Sequence, residues 1–209
     1  LIIGYDPGHF SSMVVSQEQK NGTINRTIKE FFCYYPFEQP ELAKAFNDFF
    51  GPAAINKHIR LFHDRAANKS REEYEQITTD ARILKRELES YGWVVELQNE
   101  GQATIYHWQQ FKLLQLIFGG HTNSIPECII DENECPNLCS AIMLSPRKNT
   151  DGKIELDKTS ERKVPLKHQA GLTTQLPSAY IYMLYGLYGD KLPAECSNIP
   201  DNLPDNEVI

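Results

Sequence analysis

The chain has no excess of positive charge: its 209 residues include 21 Lys and Arg against 28 Asp and Glu, a formal net charge of −7. Proteins that bind nucleic acids tightly without regard to sequence usually carry a basic surplus, because neutralising phosphates supplies most of their affinity. The acidic balance therefore argues against a stand-alone binder of that kind. It leaves room for an acidic active site with local basic patches, since carboxylates that hold divalent cations add negative charge themselves.

Cysteines are few, and they are not spaced as metal-binding pairs. The five are Cys33, Cys128, Cys135, Cys139 and Cys196. Cys135 and Cys139 lie four positions apart, and the second pair that a structural zinc site requires is missing. Reduced, mostly buried thiols of a cytoplasmic protein are the expected state.

Long apolar runs and two well-known catalytic motifs are also missing. No stretch approaches the roughly 18 to 20 apolar residues of a membrane span, so no membrane association is predicted. Neither a P-loop nor a G-x-S-x-G elbow occurs, so the sequence gives no support for ATP hydrolysis or serine hydrolase chemistry. Leu1 already belongs to a strand-like segment with no leader before it, and we expect a fragment, either the C-terminal part of a longer polypeptide or an excised domain.

The composition that is present, 41% hydrophobic and 23% charged, is that of an ordinary globular domain. Three strand-like segments (1–6, 11–19 and 23–35) come first and are joined by hairpin turns. Helical and strand-like segments alternate after them. This order predicts an α/β fold, with a mixed sheet whose first strands are antiparallel and whose later strands are parallel, and with helices on both faces.

The domain limits follow from the same patterns. We expect one domain over residues 1–190, with a charged hairpin over 146–165 that turns at Asp151-Gly152. The Pro-, Asn- and Asp-rich segment 191–209 is predicted to be an extended or disordered tail.

Ser70 is predicted to cap a long helix that runs to Gly92.

Two apolar strands end on an acid that is followed at once by a turn. Asp6 stands before Pro7-Gly8, and Asp64 ends the segment 58–64. If these strands are parallel neighbours, the two carboxylates emerge at one edge of the sheet and repel each other unless a cation lies between them. Mg²⁺ or Mn²⁺ suits such ligands and could activate water for phosphodiester hydrolysis. The alternative is that each acid only caps its own turn.

Five segments, in this order, carry a resemblance: "IIGYDPG", "RLFHDRAANKS", "WVVELQNEG", "CPNLCSAI" and "KIELDKTSERK". Over most of residues 1–190 the chain resembles the C-terminal nuclease domain of bacteriophage terminase large subunits. The resemblance implies an RNase H-like fold and a carboxylate cluster that binds one or two Mg²⁺ or Mn²⁺ ions and cuts concatemeric viral double-stranded DNA during genome packaging. It also implies three partners (an ATPase domain of the same polypeptide, the portal protein and the small terminase subunit) and, for a phage or prophage protein, the cytoplasm of the bacterial host.

Within the resemblance, Asp6 matches the first metal-binding acid and Asp64 the second. The third acid belongs to a pattern T-H-x-T-D-A-x-x-Y, which aligns with residues 174–182 and puts Gln175 in place of the histidine and Ser178 in place of the aspartate. A neutral hydroxyl is a poor ligand, so three interpretations stay open. The site binds one metal and cuts slowly, or the domain keeps the fold for DNA handling or portal and procapsid docking, or another acid completes the site: Asp157, Glu161 or Asp131.

The charged hairpin matches a segment that lies near DNA in this family. Its predicted phosphate contacts are Arg147, Lys148, Lys153, Lys158, Arg162 and Lys163. Arg65 and Lys69, which follow Asp64, are further candidates, although a solvated surface is the plainer interpretation of that set. Another RNase H-like enzyme, such as a junction resolvase, is a further alternative for the chain as a whole.

Overall fold

The computed structural model describes residues 1–68, 70–73, 76–98, 100, 106–119, 124–150 and 152–191. Its strands are β1 Ile2–Asp6, β2 Phe10–Gln19, β3 Ile24–Tyr34, β4 His58–His63, β5 Ser70–Glu73, β6 Gln76–Thr79, β7 Val94–Leu97, β8 Glu127–Ile130, β9 Arg147–Thr150 and β10 Lys153–Leu156. Its helices are α1 Gln39–Phe50, α2 Asp80–Ser90, α3 His107–Phe118, α4 Pro136–Leu144, α5 Ser160–Lys163 and α6 Gln175–Tyr188.

Six strands form the central sheet in the order β7-β4-β1-β2-β3-β8. The first three strands pair antiparallel in sequence, whereas β4 runs parallel to β1, β7 parallel to β4, and β8 parallel to β3. This arrangement confirms the predicted fold class, an α/β fold with a mixed sheet whose first strands are antiparallel and whose later strands are parallel. One apolar core lies between the sheet and α1 and α2, and the other lies under α3, α4 and α6, so helices cover both faces as predicted.

The turn after β1 depends on a glycine. Gly8 has φ +148°, a backbone conformation that residues other than glycine rarely adopt. The chain therefore reverses within three residues, and β2 begins at Phe10. The strand that carries Asp6 thus ends at an abrupt turn, as the Pro7-Gly8 pair predicts.

The long helix predicted from Ser70 to Gly92 is wrong in its first half. Residues 70–73 and 76–79 are instead a pair of antiparallel strands, β5 and β6. The helix begins at Asp80, where the Thr79 side chain accepts a hydrogen bond from the Arg82 amide at 3.3 Å. The β-branched run 77–79 explains the difference, because such side chains favour extended backbone and Thr79 competes with Ser70 as the helix cap.

Helix α6 lies directly on β1 because Gly4 has no side chain. A Cβ built at Gly4 would stand 2.0 Å from the carbonyl oxygen of Ala179. Ser12, which pairs with Asp6 across β1 and β2, donates its hydroxyl to the carbonyl of Gln175 at 3.1 Å. The first turn of α6 is therefore fixed over the end of β1 that carries Asp6.

Within the segment 146–165 that was predicted as a charged hairpin, β9 pairs antiparallel with β10, and residues 160–163 form helix α5; the turn residue Asp151 lies outside the described residues. It packs on α3 through two cation–ring contacts, Arg147 at 6.0 Å from the Phe111 ring centroid and Lys153 at 5.1 Å from that of Trp108. The predicted tail lies outside the described residues beyond Lys191. Within the part of the chain that the structure describes, no helix has the length and apolar character to cross a membrane.

Candidate functional site

Asp6 and Asp64 stand side by side at one edge of the sheet. In the parallel register of β1 and β4, Ile2 pairs with Arg60 and Tyr5 pairs with His63. The residue that follows each member of this last pair is an aspartate. Neighbouring strands are about 4.8 Å apart, and residues at the same register position point to the same face. The edge geometry expected from the sequence is thus present in the fold.

The carboxyl group of Asp6 is unusual in its surroundings. Asp6 is only 8% exposed, and burial raises its pKa well above the ordinary value. The Lys158 ammonium acts in the opposite direction, while the negative charges of Asp64 and Glu161 raise the pKa further. Two carboxylates and one ammonium therefore lie within electrostatic range of Asp6.

The structure separates the three acids that could complete the site. Asp131 is bound to the Arg26 guanidinium at 2.7 Å, and this hydrogen bond lowers its pKa. Asp157 accepts the amide and the hydroxyl of Thr159, each at 2.9 Å, and these bonds lower its pKa. Glu161 is the acid whose charge acts on Asp6.

The position expected for the third acid holds a neutral pair. Ser178 is 1% exposed, and Tyr182, one turn later on α6, is also 1% exposed. Burial raises the pKa of Tyr182 well above its usual value, and the charges of Asp6 and Asp64 raise it further, so the phenol keeps its proton beside the acids. Tyr182 was not predicted as a site residue, because an aromatic side chain on an apolar helix is typical of a core. Its i+4 spacing from Ser178 places both residues on one face of the helix and was the available signal.

The carboxylates of Asp6, Asp64 and Glu161 are chemically suited to bind a divalent cation, although they are not arranged around a common ion position. Carboxylate oxygens are the ligands that Mg²⁺ and Mn²⁺ prefer, and the mutual repulsion of buried carboxylates is relieved by such an ion. Among the residues described, no group of three or more His, Cys, Asp and Glu side chains is arranged as a metal site. Asp6, Asp64 and Glu161 thus fit the ion by type and charge.

The predicted DNA-contacting cations occupy different surroundings. The charge of Lys158 lowers the pKa of Asp6, and together with that of Lys148 it also lowers the pKa of His107, whose burial is the larger cause. Lys148 is paired with Glu155 at 3.0 Å. Arg162 and Lys163 on α5 are exposed, as is Arg65, and Lys69 lies outside the described residues. One predicted cation, Lys158, therefore lies within electrostatic range of Asp6.

Three solved structures are similar to this chain. The nuclease domain of the large terminase g2p of bacteriophage SPP1, with bound Mn, has 11% identity and a TM-score of 0.45 over 91% of this chain and 85% of its own. A mutant nuclease domain of the large terminase subunit gp2 of bacterial virus Sf6, with manganese and beta-thujaplicinol, has 12% identity and a TM-score of 0.45 over 88% and 86%. The yeast mitochondrial Holliday junction resolvase Ydc2 has 9% identity and a TM-score of 0.38 over 94% and 82%.

The first two are of the class that the sequence segments resemble. No protein-family model and no curated protein sequence matches the chain. At such identities and TM-scores these likenesses assign no function to the chain.

Proposed function

We propose that the chain is the divalent-metal-dependent endonuclease domain of a phage terminase large subunit, which cuts concatemeric viral double-stranded DNA during genome packaging. One observation carries the proposal: Asp6 and Asp64 follow paired positions of the parallel strands β1 and β4, and the buried Asp6 carboxyl has its pKa raised by burial and by the charges of Asp64 and Glu161. Buried like charges favour a bound cation, and hard oxygen ligands favour Mg²⁺ or Mn²⁺.

Each residue has a role that follows from its position. Asp6, Asp64 and Glu161 would hold one or two ions, closing on them from their present spacing. A bound ion supplies an activated water and stabilises the leaving oxygen of a phosphodiester. The Lys158 ammonium beside Asp6 orients a backbone phosphate, and the protonated Tyr182 adds no further negative charge.

The partners that we propose are those implied by the sequence resemblance. They are double-stranded DNA, an ATPase domain of the same polypeptide, the portal protein and the small terminase subunit, in the cytoplasm of a bacterial host. The exposed cations Arg162 and Lys163 on α5, next to Glu161, supply the local basic surface that an acidic chain needs for DNA.

Nicking of a supercoiled plasmid in Mn²⁺ or Mg²⁺ tests the proposal. Asp6→Asn, Asp64→Asn and Glu161→Gln should each abolish metal-dependent nicking, because each removes one carboxylate without changing the volume of its side chain. Asp131→Asn and Asp157→Asn are matched controls, since both acids are engaged elsewhere, and they should nick at the wild-type rate. Nicking that survives in both the Asp6 and the Asp64 variants would refute a carboxylate metal site.

Ser178 supports a second candidate, a module that docks DNA or the portal and procapsid with little or no cleavage. The buried Ser178–Tyr182 pair occupies the place where a third acid is expected. If the wild type does not nick and Ser178→Asp switches nicking on, this second function gains. Preference for a four-way junction over plasmid DNA would instead identify a junction resolvase.

A further inference from the structure

Glu161 lies in the short helix α5, and residues outside this helix bind it. Helix α5 has four residues, too few to fix a side chain by helix packing alone. Gln169, which is 6% exposed, donates its side-chain amide to the carbonyls of Glu161 and Val164, each at 2.9 Å. The Gln169 side-chain oxygen accepts a hydrogen bond from the side-chain amide of Gln175 at 3.2 Å. One buried glutamine thus joins α5 to the first residue of α6.

A second contact reaches the Glu161 carboxylate itself. Thr174, the buried residue that precedes α6, donates its hydroxyl to Oε1 of Glu161. The neighbouring Thr173 hydroxyl donates to the backbone carbonyl of Gln169 at 2.8 Å, which ties the segment before α6 to the same glutamine. The threonine bond engages one oxygen of the Glu161 carboxylate and so sets the direction of the side chain.

The segment that holds Glu161 is also the segment that is fixed to Asp6. Helix α6 lies against Gly4 of β1, and the Ser12 hydroxyl, opposite Asp6, holds the carbonyl of Gln175. A continuous series of contacts therefore runs from the strand that carries Asp6 through the start of α6 to Glu161. We propose that Gln169 and Thr174 are positioning residues that fix Glu161 relative to Asp6 and thereby set the affinity of the site for a divalent cation.

This inference rests on the proposed function and adds to it the means by which an acid outside α6 serves in place of one at Ser178. Hydrogen bonds to metal-ligating side chains orient them, and removing such a partner typically costs 10- to 100-fold in metal affinity. Gln169→Leu removes both donors and the acceptor at similar volume. Thr174→Val removes the one hydroxyl. We expect each change to raise the Mn²⁺ dissociation constant by roughly 10- to 100-fold.

Mn²⁺ titration of the whole chain without DNA, followed by electron paramagnetic resonance of the free ion, measures that constant directly. Gln39→Leu is the matched control, because Gln39 is also buried, at 3% exposed, and donates to two side chains: the Tyr5 hydroxyl at 2.9 Å and Asp80 at 3.0 Å. It should lower the melting temperature as Gln169→Leu does and leave the Mn²⁺ constant unchanged. In a Glu161→Gln background, Gln169→Leu should produce no further loss, since it acts through Glu161.

The outcomes separate the inference from the function that it extends. If the wild type binds no Mn²⁺, both are overturned. If the wild type binds Mn²⁺ and the constants of Gln169→Leu and Thr174→Val stay within about twofold of it, the positioning role alone is overturned. An equal loss in Gln39→Leu, or a further loss on top of Glu161→Gln, also overturns it, because the effect would then be general loosening of the fold. Circular dichroism shows which variants are folded, and Thr174→Val decides if Gln169→Leu is not.

Discussion

Replacing Asp6 by Asn should make the metal-free protein more stable at neutral pH. Burial, and the charges of Asp64 and Glu161, hold the pKa of Asp6 in the folded protein well above the ordinary value of 3.8. An acid whose folded pKa is raised contributes stability that is fully present below its unfolded pKa and is lost as the pH rises through its folded pKa. Each unit of such a shift corresponds to about 1.4 kcal/mol, and asparagine removes this cost at similar volume.

Thermal unfolding in EDTA at pH 4, 5.5 and 7.5 measures the effect. The stability advantage of Asp6→Asn over the wild type should be smallest at pH 4 and should grow as the pH rises. Asp48→Asn is the control, because Asp48 is exposed on α1 and its partner there is Lys44, at 2.6 Å. This control should show no comparable growth, since surface ion pairs contribute at most about 1 kcal/mol.

The same variant reports on the cation. An ion present at 100 times its dissociation constant stabilises the folded state by about 2.7 kcal/mol. In a domain of this size that corresponds to a rise in melting temperature of roughly 5–11 °C. Mn²⁺ should produce this rise in the wild type and not in Asp6→Asn. If Asp6→Asn is less stable than the wild type at pH 7.5 in EDTA, Asp6 is compensated by a partner such as Lys158, and the reasoning from buried repulsion is refuted.

Three further predictions concern the packing of the helices on the sheet and the binding of DNA. Gly4→Ala should lower the free energy of unfolding in urea by about 1–3 kcal/mol, because its Cβ would stand 2.0 Å from the Ala179 carbonyl oxygen; Gly171→Ala, with its nearest contact at 3.4 Å, should cost far less. Glu30→Ala should cost roughly 1–3 kcal/mol in the same assay, because the Glu30 carboxylate accepts the first two amides of α4 that follow Pro136, at 3.0 and 2.7 Å; an unchanged midpoint would contradict this. Arg162→Ala and Lys163→Ala should each reduce the salt dependence of DNA binding, measured by fluorescence anisotropy, by a slope of about 0.9, whereas Lys44→Ala should not; equal slopes would place the DNA elsewhere.

Much of the sheet could be predicted from local pattern. Hairpin turns and alternating side chains give the order of the first three strands, and the repeated design of an apolar strand ending on an acid predicts that Asp6 and Asp64 share an edge. Both follow from rules that act over a few residues, namely turn chemistry and the period of two along a strand. The segment from Ser70 did not follow such a rule, because two adjacent signals, a possible cap at Ser70 and a β-branched run before Asp80, favour different structures and only pairing between β5 and β6 decides.

The third acid shows where sequence reasoning ends. Glu161, Asp157 and Asp131 are equivalent as letters, and spacing along the chain does not rank them. Tertiary structure distinguishes them: Asp131 is bound to Arg26, Asp157 accepts hydrogen bonds from Thr159, and Glu161 is the one whose charge acts on the Asp6 carboxyl.

The sequence by itself determined the fold class and the edge of the sheet at which the two aspartates meet, since both depend on periodicity and turns. The tertiary structure alone decided which other groups reach that edge. Glu161 in a four-residue helix and Lys158 in a loop supply charges that act on the Asp6 carboxyl, and α6, which carries Tyr182, lies on β1 because Gly4 has no side chain. Charge interactions depend on distance in space and on burial, and neither is written in the order of the residues.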